Sequence, residues 1–294
     1  MTKIVNILEG IPFGKAYFQV AVTLRNTLLV SSMLCNSEAW VNLTNSELDL
    51  LETVDVMLLR NILKTPVSTP KEMLFLELGV QPLREIVRGR RLNFLHYILN
   101  QESESMISKV FEAQFRKRTK KDWISSVLKD LELLEMNVTF EDIQIMSKYK
   151  WKNTVKRNIE ERSLKYLNIL KQKHSKVNKL QHDKLIMQPY FLPSDGQISV
   201  EEIQIIFQMR SNVTKLKMNL KGLYDTYECR VCLNEDESQE HIYKCEEIWK
   251  IRKESSNDNP DYENIMNGSA DQKLEVARIF KENLNIHNKM SKSK

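Results

Sequence analysis

The chain has 294 residues, of which 41% are hydrophobic and 28% are charged, with only seven glycines and seven prolines. This composition excludes a collagen-like or low-complexity chain and favours a helical globular protein of one to three domains. The longest uncharged tract, Asn26 to Ser37, is too short to span a bilayer, and four cysteines in this length suit a reducing compartment. We therefore expect an intracellular protein, in the nucleus or the cytoplasm, without membrane contact.

The net charge of +5 is distributed unevenly along the chain. Residues 1–80 carry six basic and eight acidic groups, a balance of −2, whereas residues 81–220 carry 26 and 16, a balance of +10. Residues 221–294, with 12 basic and 15 acidic groups, return to −3. A basic middle between nearly neutral ends indicates a polyanionic partner such as RNA or DNA. The alternative is a solvated, lysine-rich helical surface.

Helical patterns fill the first 80 residues. Phe13 to Cys35 is so densely apolar that we expect a largely buried helix. Thr44 and Glu47 form a capping box, which predicts that the next helix begins there. Its core stripe is predicted to consist of Leu48, Leu51, Val54, Leu58 and Ile62. Gly79 is a fitting end for the short helix after Pro70.

Pro82 predicts the start of a third helix, Leu83 to about Leu99, with a row of arginines along one edge. The arginines are Arg84, Arg88 and Arg91. Forked guanidinium donors at this spacing can hold successive phosphates of a nucleic acid. They can equally pair with the acidic helix that carries Glu47, Asp49, Glu52 and Asp55, and the sequence leaves both alternatives open.

The basic middle contains two clusters of candidate phosphate contacts. The first is Arg116, Lys117 and Arg118, in a break between helices; the second lies at the start of a lysine-rich helical segment and comprises Lys148, Lys150, Lys152, Lys156 and Arg157. Tyr149 and Trp151 alternate with these lysines, a pattern that suits a single strand, with ammonium groups on phosphates and rings against bases. Trp151 alone is more typical of a core residue. A linker is predicted at residues 188–196, which contain two prolines and a Ser-Asp-Gly turn.

Cysteines and one histidine recur at metal-ligand spacing between residues 229 and 245. The pattern is C-x2-C-x8-H-x3-C, formed by Cys229, Cys232, His241 and Cys245. It predicts a tetrahedral Cys3His site for structural Zn²⁺, with no open position for a catalytic water. A disulfide or a chance cluster of buried thiols is the alternative, but neither requires the histidine. Arg230 adds one positive charge to this module, and an amphipathic helix from about Asp271 to Ile286 follows.

Six short sequence stretches, spread over nearly the whole chain, carry a resemblance to a known protein family. They are residues 11–18 (IPFGKAYF), 24–29 (LRNTLL), 36–40 (NSEAW), 50–55 (LLETVD), 90–96 (RRLNFLH) and 237–245 (ESQEHIYKC). Together they resemble the region that follows the polymerase palm in non-LTR (LINE-type) retrotransposon reverse transcriptases. The last stretch is similar to the zinc-knuckle signature of that family, which is its most specific motif.

The resemblance implies an all-α fold in three parts. These are a thumb-like helical region at residues 1–80, a basic helical connector at 81–188, and a zinc-knuckle region at 197–294 that includes a C-terminal helix. In that family this region grips template RNA or target DNA. The polymerase centre of the family carries an aromatic-x-Asp-Asp motif that holds two magnesium ions, and no Asp-Asp pair occurs in this sequence.

We therefore expect no enzymatic activity from the chain alone, which the resemblance identifies as a carboxy-terminal fragment, either a truncated element copy or a gene model that begins late. The expected function is binding of element RNA or target DNA, with the missing palm as a further partner. The alternative function is a helical, zinc-stabilised protein-interaction module.

Overall fold

The computed structural model describes residues 16–117, 119–175, 177–192, 198–220, 222–252 and 260–293. Within these ranges the chain is all-α, which confirms the predicted fold class, and its only β-type pairing consists of two isolated bridges. None of the described helices is long and apolar enough to cross a membrane. Arg118, four residues of the predicted linker (193–196) and the beginning of the resemblance (11–15) lie outside the described residues.

Four helices form the first third of the chain. Helix α1 spans Tyr17–Leu24 and continues through π-helical turns at Arg25–Val30 and a last turn at Ser31–Met33. Helices α2, α3 and α4 follow at Asn45–Leu63, Lys71–Leu78 and Leu83–Leu99. The capping box of Thr44 and Glu47 begins α2 as predicted, and the left-handed Gly79 ends α3.

The remaining helices have the following bounds: α5 Met106–Arg116, α6 Trp123–Leu133, α7 Phe140–Ile145, α8 Lys148–Lys171, α9 Val200–Arg210, α10 Gln239–Lys244, α11 Glu246–Arg252, α12 Asn264–Asn267 and α13 Ala270–Ser293. Reciprocal capping boxes begin α7 at Thr139 and α9 at Ser199. The last helix is longer than the predicted Asp271 to Ile286.

A large core joins the two ends of the described chain. It contains Phe18 of α1, Leu59 of α2 and Phe75 of α3, together with Phe207 of α9 and Phe280 of α13. Helix α13 packs on α9, α10, α11 and α12. Because the first and last segments share one apolar interior, burial of that interior stabilises both of them together.

A second core lies under the basic middle of the chain. Helix α8 crosses α4, and Trp151 of α8 is buried there, with its indole N–H donating to the Leu92 carbonyl at 3.0 Å. Its ring stacks on His96 with 6.3 Å between centroids. Trp151 is therefore a core residue, the alternative that the sequence already favoured for it.

The predicted stripe of α2 is correct at Leu48, Leu58 and Ile62 but wrong at Val54, which faces solvent. Two carboxylates of α2 are buried instead. Asp55 accepts from Nε of Arg25 at 2.6 Å, and Glu52 accepts from Nε of Arg84 at 2.7 Å. The face of α2 that carries Glu52 and Asp55 is buried because Arg84 and Arg25 neutralise these charges. Apolar periodicity alone therefore could not predict which face of α2 is buried.

Candidate metal centre and basic surfaces

The metal-ligand pattern begins in a short hairpin. The amide of Cys229 donates to the Glu235 carbonyl at 2.6 Å, and the amide of Glu237 donates to the Tyr227 carbonyl at 2.7 Å. Between these bonds the chain turns back through Leu233, whose backbone is left-handed (φ 61°) and whose amide donates to the Cys229 carbonyl. This tight turn places Cys229 and Cys232 on the same side of the hairpin.

Helix α10 supplies the other two candidate ligands. The Ser238 hydroxyl accepts from the amide of His241 at 3.0 Å, which begins the helix, and Cys245 is the residue that ends it. His241 and Cys245 therefore lie one helical turn apart and face the hairpin together. Cys229, His241 and Cys245 are buried, and Cys232 is half-buried.

The four ligand atoms converge on one point. All of them lie within 4.8 Å of one another, and Cys232 Sγ lies 3.3 Å from His241 Nε2. A tetrahedral ion with metal–sulfur bonds of about 2.3 Å separates its ligand atoms by roughly 3.6–3.8 Å, so this spacing fits a metal ion. Among the residues that the structure describes, these four are the group that could hold one.

A carboxylate orients the histidine. Glu235 Oε2 lies 3.1 Å from His241 Nδ1, on the far side of the ring from Cys232. A proton on Nδ1 satisfies this contact and leaves the Nε2 lone pair for a metal, which is the arrangement found around many metal-bound histidines. Glu235 lies between the two pairs of ligands, but no spacing rule marks a carboxylate there as a supporting residue.

The C-terminal helix closes the site from behind. His287 of α13 is fully buried, and its Nε2 lies 3.1 Å from Glu237 of the hairpin. Burial raises the pKa of Glu237, but hydrogen bonds from His287 and Arg230 outweigh burial and lower that pKa to about 2. His287 lies so far along the chain from the ligands that no local sequence signal could have predicted its role.

The predicted basic residues of α4 are used inside the protein. Arg84 is forked onto Glu52 and also bonds Asp49 at 2.6 Å, which favours the pairing alternative for this residue. Arg91 bonds Asp130, and Arg88 lies near the same carboxylate at 3.4 Å. Each of these arginines is therefore paired with at least one carboxylate of the fold.

The basic residues at the start of α8 are placed differently. Lys148, Lys150 and Lys152 are exposed, and no ion pair holds any of them among the described residues. Farther along the helix, Lys156 and Arg157 make only loose pairs of 3.9 Å with the glutamates four residues on. Tyr149 is 79% exposed between the lysines. This end of α8 gathers more of the exposed predicted basic residues than any other helix does among the described residues.

The other predicted contacts are dispersed. Arg116 and Lys117 are exposed at the end of α5, and Arg116 pairs with Glu112 at 3.1 Å. Arg230 forks onto Glu237 beside the candidate metal centre, so its charge supports the hairpin. The structure does not gather the predicted residues into one site.

Comparisons of the chain with models of protein families, with curated proteins and with solved structures find no match. The chemistry of the candidate metal centre and of the basic surfaces is therefore what supports a function.

Proposed function

We propose that this chain is a zinc-stabilised nucleic-acid-binding module of the kind that follows the polymerase palm in non-LTR retrotransposon reverse transcriptases. Its ligand is RNA or single-stranded DNA, and its main contact is the basic start of α8. The observation that carries the proposal is that Lys148, Lys150 and Lys152 are exposed there without an ion-pair partner among the described residues.

This end of α8 is electrostatically unfavourable without an anion. The first turn of a helix carries a partial positive charge, and acidic residues normally offset it, as Glu47 does in α2 and Glu201 and Glu202 do in α9. The first turn of α8 has no acidic residue and contains Lys148 and Lys150. The Ser147 hydroxyl already accepts from the Lys150 amide, and a phosphate placed there would bond the remaining first-turn amides together with the ammonium groups.

The proposed metal is zinc in a structural role. Three thiolates and one imidazole are the ligands that zinc prefers, and four protein ligands leave no position for a reacting water. Its function is to hold the hairpin and α10 together, in a reducing intracellular compartment. Nucleotide transfer is not part of the proposal, because the sequence has no Asp-Asp pair to hold catalytic magnesium.

Binding to a labelled single-stranded RNA at several salt concentrations tests the proposal. If about five side chains meet phosphates, the logarithm of the affinity should fall with the logarithm of salt with a slope of roughly −3 to −4. Replacement of Lys148, Lys150 and Lys152 by alanine should flatten that slope by about two units, because each phosphate contact on a single strand contributes about 0.7.

A matched control removes the same charge elsewhere. Lys244, Lys250 and Lys281 are lysines paired with glutamates outside the basic middle, and their triple alanine variant should leave the slope nearly unchanged. Equal loss in both triple variants would mean that only net charge matters. An unchanged affinity after the α8 substitutions would mean that this face is merely solvated.

An exposed apolar groove favours the second candidate function, protein interaction. The groove has a volume of about 590 Å³ and is lined by Trp40, Val41, Leu43, Leu50 and Leu51 among others, with Leu50 72% exposed. The resemblance would make its partner a reverse-transcriptase palm. If the groove binds a separately purified palm, Leu50→Asp should abolish that complex and leave RNA affinity intact. An RNA affinity that does not change when the α8 lysines are replaced would also favour this second candidate function.

A further inference from the structure

A polar cleft of about 570 Å³ lies where α2, α4, α6 and α8 meet. Its volume is in the range of pockets that bind small molecules, and it is separate from the candidate metal centre. Tyr166 forms part of its wall, and the Arg84 guanidinium lies 5.4 Å from the centre of that ring.

The lining of the cleft is positively charged. Three carboxylates contribute to it, those of Asp49, Glu85 and Asp130. Six basic side chains face them: Arg84, Arg88, Arg91, Lys120, Lys129 and Arg162. Glu52, which Arg84 bonds from behind the lining, adds a fourth negative charge. Six positive against four negative charges leave a formal charge of +2 around one concave site, where low-dielectric walls strengthen the attraction for an anion.

The carboxylates fix the arginines in place without using all of their donors. Asp130 holds Arg91, which is only 5% exposed, yet the Nε–H of Arg91 has no hydrogen-bond partner. Lys120 and Lys129 are exposed and have no ion-pair partner among the described residues. The cleft thus combines rigid, partly unused guanidinium donors with two free ammonium groups.

We propose that this cleft binds a small phosphate-bearing anion, of the size of a nucleotide or of the phosphorylated end of a nucleic-acid strand. Guanidiniums that carboxylates already hold in place offer their remaining N–H donors to a phosphate at little cost in ordering, and the free lysines add charge-assisted bonds. This site does not depend on the basic face of α8, because none of the α8 lysines proposed to bind nucleic acid lines it.

Calorimetric titration with inorganic pyrophosphate, followed by ATP, tests the inference on the full chain. Both should bind. The double variant Lys120→Ala/Lys129→Ala should weaken pyrophosphate binding by about tenfold or more, since bonds to charged groups are strong and both substitutions lie on exposed positions that leave folding intact. The matched control, Lys244→Ala/Lys250→Ala, removes the same charge from exposed lysines outside both the cleft and the α8 surface and should leave pyrophosphate affinity unchanged.

Competition by oligonucleotides identifies the source of the phosphate. A strand with a 5′-phosphate that displaces pyrophosphate better than the same strand with a 5′-hydroxyl indicates a strand end, whereas displacement by ATP alone indicates a free nucleotide. The inference is overturned if the folded protein shows no pyrophosphate binding, or if both double variants lose affinity equally. Pyrophosphate binding without RNA binding would support the cleft as a phosphate site and refute the proposed function. RNA binding without pyrophosphate binding would support the proposed function and refute the cleft.

Discussion

Glu77 carries a negative charge inside the large core, where no part of its side chain reaches solvent. Three groups neutralise or bond it: Arg210 at 2.9 Å, His182 at 2.9 Å and the Tyr190 hydroxyl at 2.6 Å. These partners come from more than 100 residues later in the sequence. The cluster therefore ties α3 to α9 and to the segment that precedes α9, and its geometry depends on the whole fold.

We expect Glu77→Gln to destabilise the protein by about 3–5 kcal/mol, because it leaves the buried Arg210 without a counter-charge. Chemical denaturation monitored by circular dichroism measures this change. Glu112→Gln is the matched control, since Glu112 pairs with Arg116 in solvent and its loss should cost about 0.5 kcal/mol or less. A cost for Glu77→Gln no greater than that of the control would contradict a structural role for the cluster.

The buried charge of Glu77 should also make the free energy of unfolding depend on pH. Burial raises the pKa of Glu77, but Arg210 and His182 outweigh burial and lower that pKa well below the ordinary 4.5. Because the folded pKa is depressed, the stabilisation is complete above pH 4.5 and is lost as the pH falls below it. The difference in unfolding free energy between wild type and Glu77→Gln should thus shrink by at most about 1.4 kcal/mol per pH unit below 4.5. A difference that stays constant from pH 7 to pH 3 would contradict this.

At the scale of single residues, the sequence predicted the candidate metal ligands because their spacing is local. The turn from Cys229 to Cys232 and the helical turn from His241 to Cys245 are each short, so pattern and geometry coincide. His287 and the partners of Arg91 were not predictable, since only the packing of distant helices brings them to their places.

Among the elements, the end of α3 depends on a glycine. Gly79 has a left-handed backbone (φ +64°), and a Cβ atom there would lie 2.1 Å from the Met187 amide nitrogen. The two segments are joined at this point, where the Gln188 amide donates to the Glu77 carbonyl at 2.9 Å. A side chain at position 79 would therefore both strain the backbone and separate the two segments.

Gly79→Ala should lower the free energy of unfolding by at least about 2 kcal/mol, from backbone strain and the clash together. Gly222→Ala is the matched control, because Gly222 also has positive φ (+85°) but nothing lies within 4 Å of a Cβ atom there. The control should show only the strain, about 1 kcal/mol. Denaturant titration of both variants checks this, and equal costs would show that the contact with residues 186 and 187 contributes nothing.

In the first turn of α8, substitutions that stabilise the fold should weaken RNA binding. Replacing Lys148 and Lys150 in its first turn by glutamate should stabilise the protein by about 0.3–1 kcal/mol per residue, because acidic groups offset the positive end of the helix. The same substitutions should abolish the RNA affinity of the proposed surface. Denaturation and RNA titration of the double variant measure the two effects, and a loss of stability would show that these lysines support the fold.

Local sequence signals predicted where a helix begins better than which face of a helix is buried. The capping box at Thr44 predicted the start of α2, because the bonds that form it lie within three residues, and boxes of the same kind begin α7 and α9. The buried face of α2 could not be predicted in full, since Glu52 and Asp55 are buried only through Arg84 and Arg25. Apolar spacing assigned the core to Val54, whereas these ion pairs determine how α2 is rotated.

For the molecule as a whole, the candidate metal centre belongs to the large core. Cys229, Ile242 and Cys245 are buried in the same cluster as Leu59 of α2 and Phe75 of α3. The sequence predicted a boundary at residue 80 and a separate region from residue 197, and that division stays a prediction. The shared core means that the hairpin and α10 contact apolar groups from both ends of the described chain.

Metal removal should therefore destabilise far more than the hairpin. Structural zinc contributes about 10 kcal/mol or more to folding in small domains, an amount comparable with the whole stability of an ordinary protein. We expect a chelator, or Cys245→Ala, to lower the melting temperature sharply and to increase amide hydrogen exchange in α3 and α9 as well as around His241. Cys35→Ala is the control, because Cys35 is exposed and lies outside the metal-ligand group. If increased exchange is confined to residues 227–245 while α3 and α9 keep their protection, the knuckle folds as an independent unit and does not support the large core.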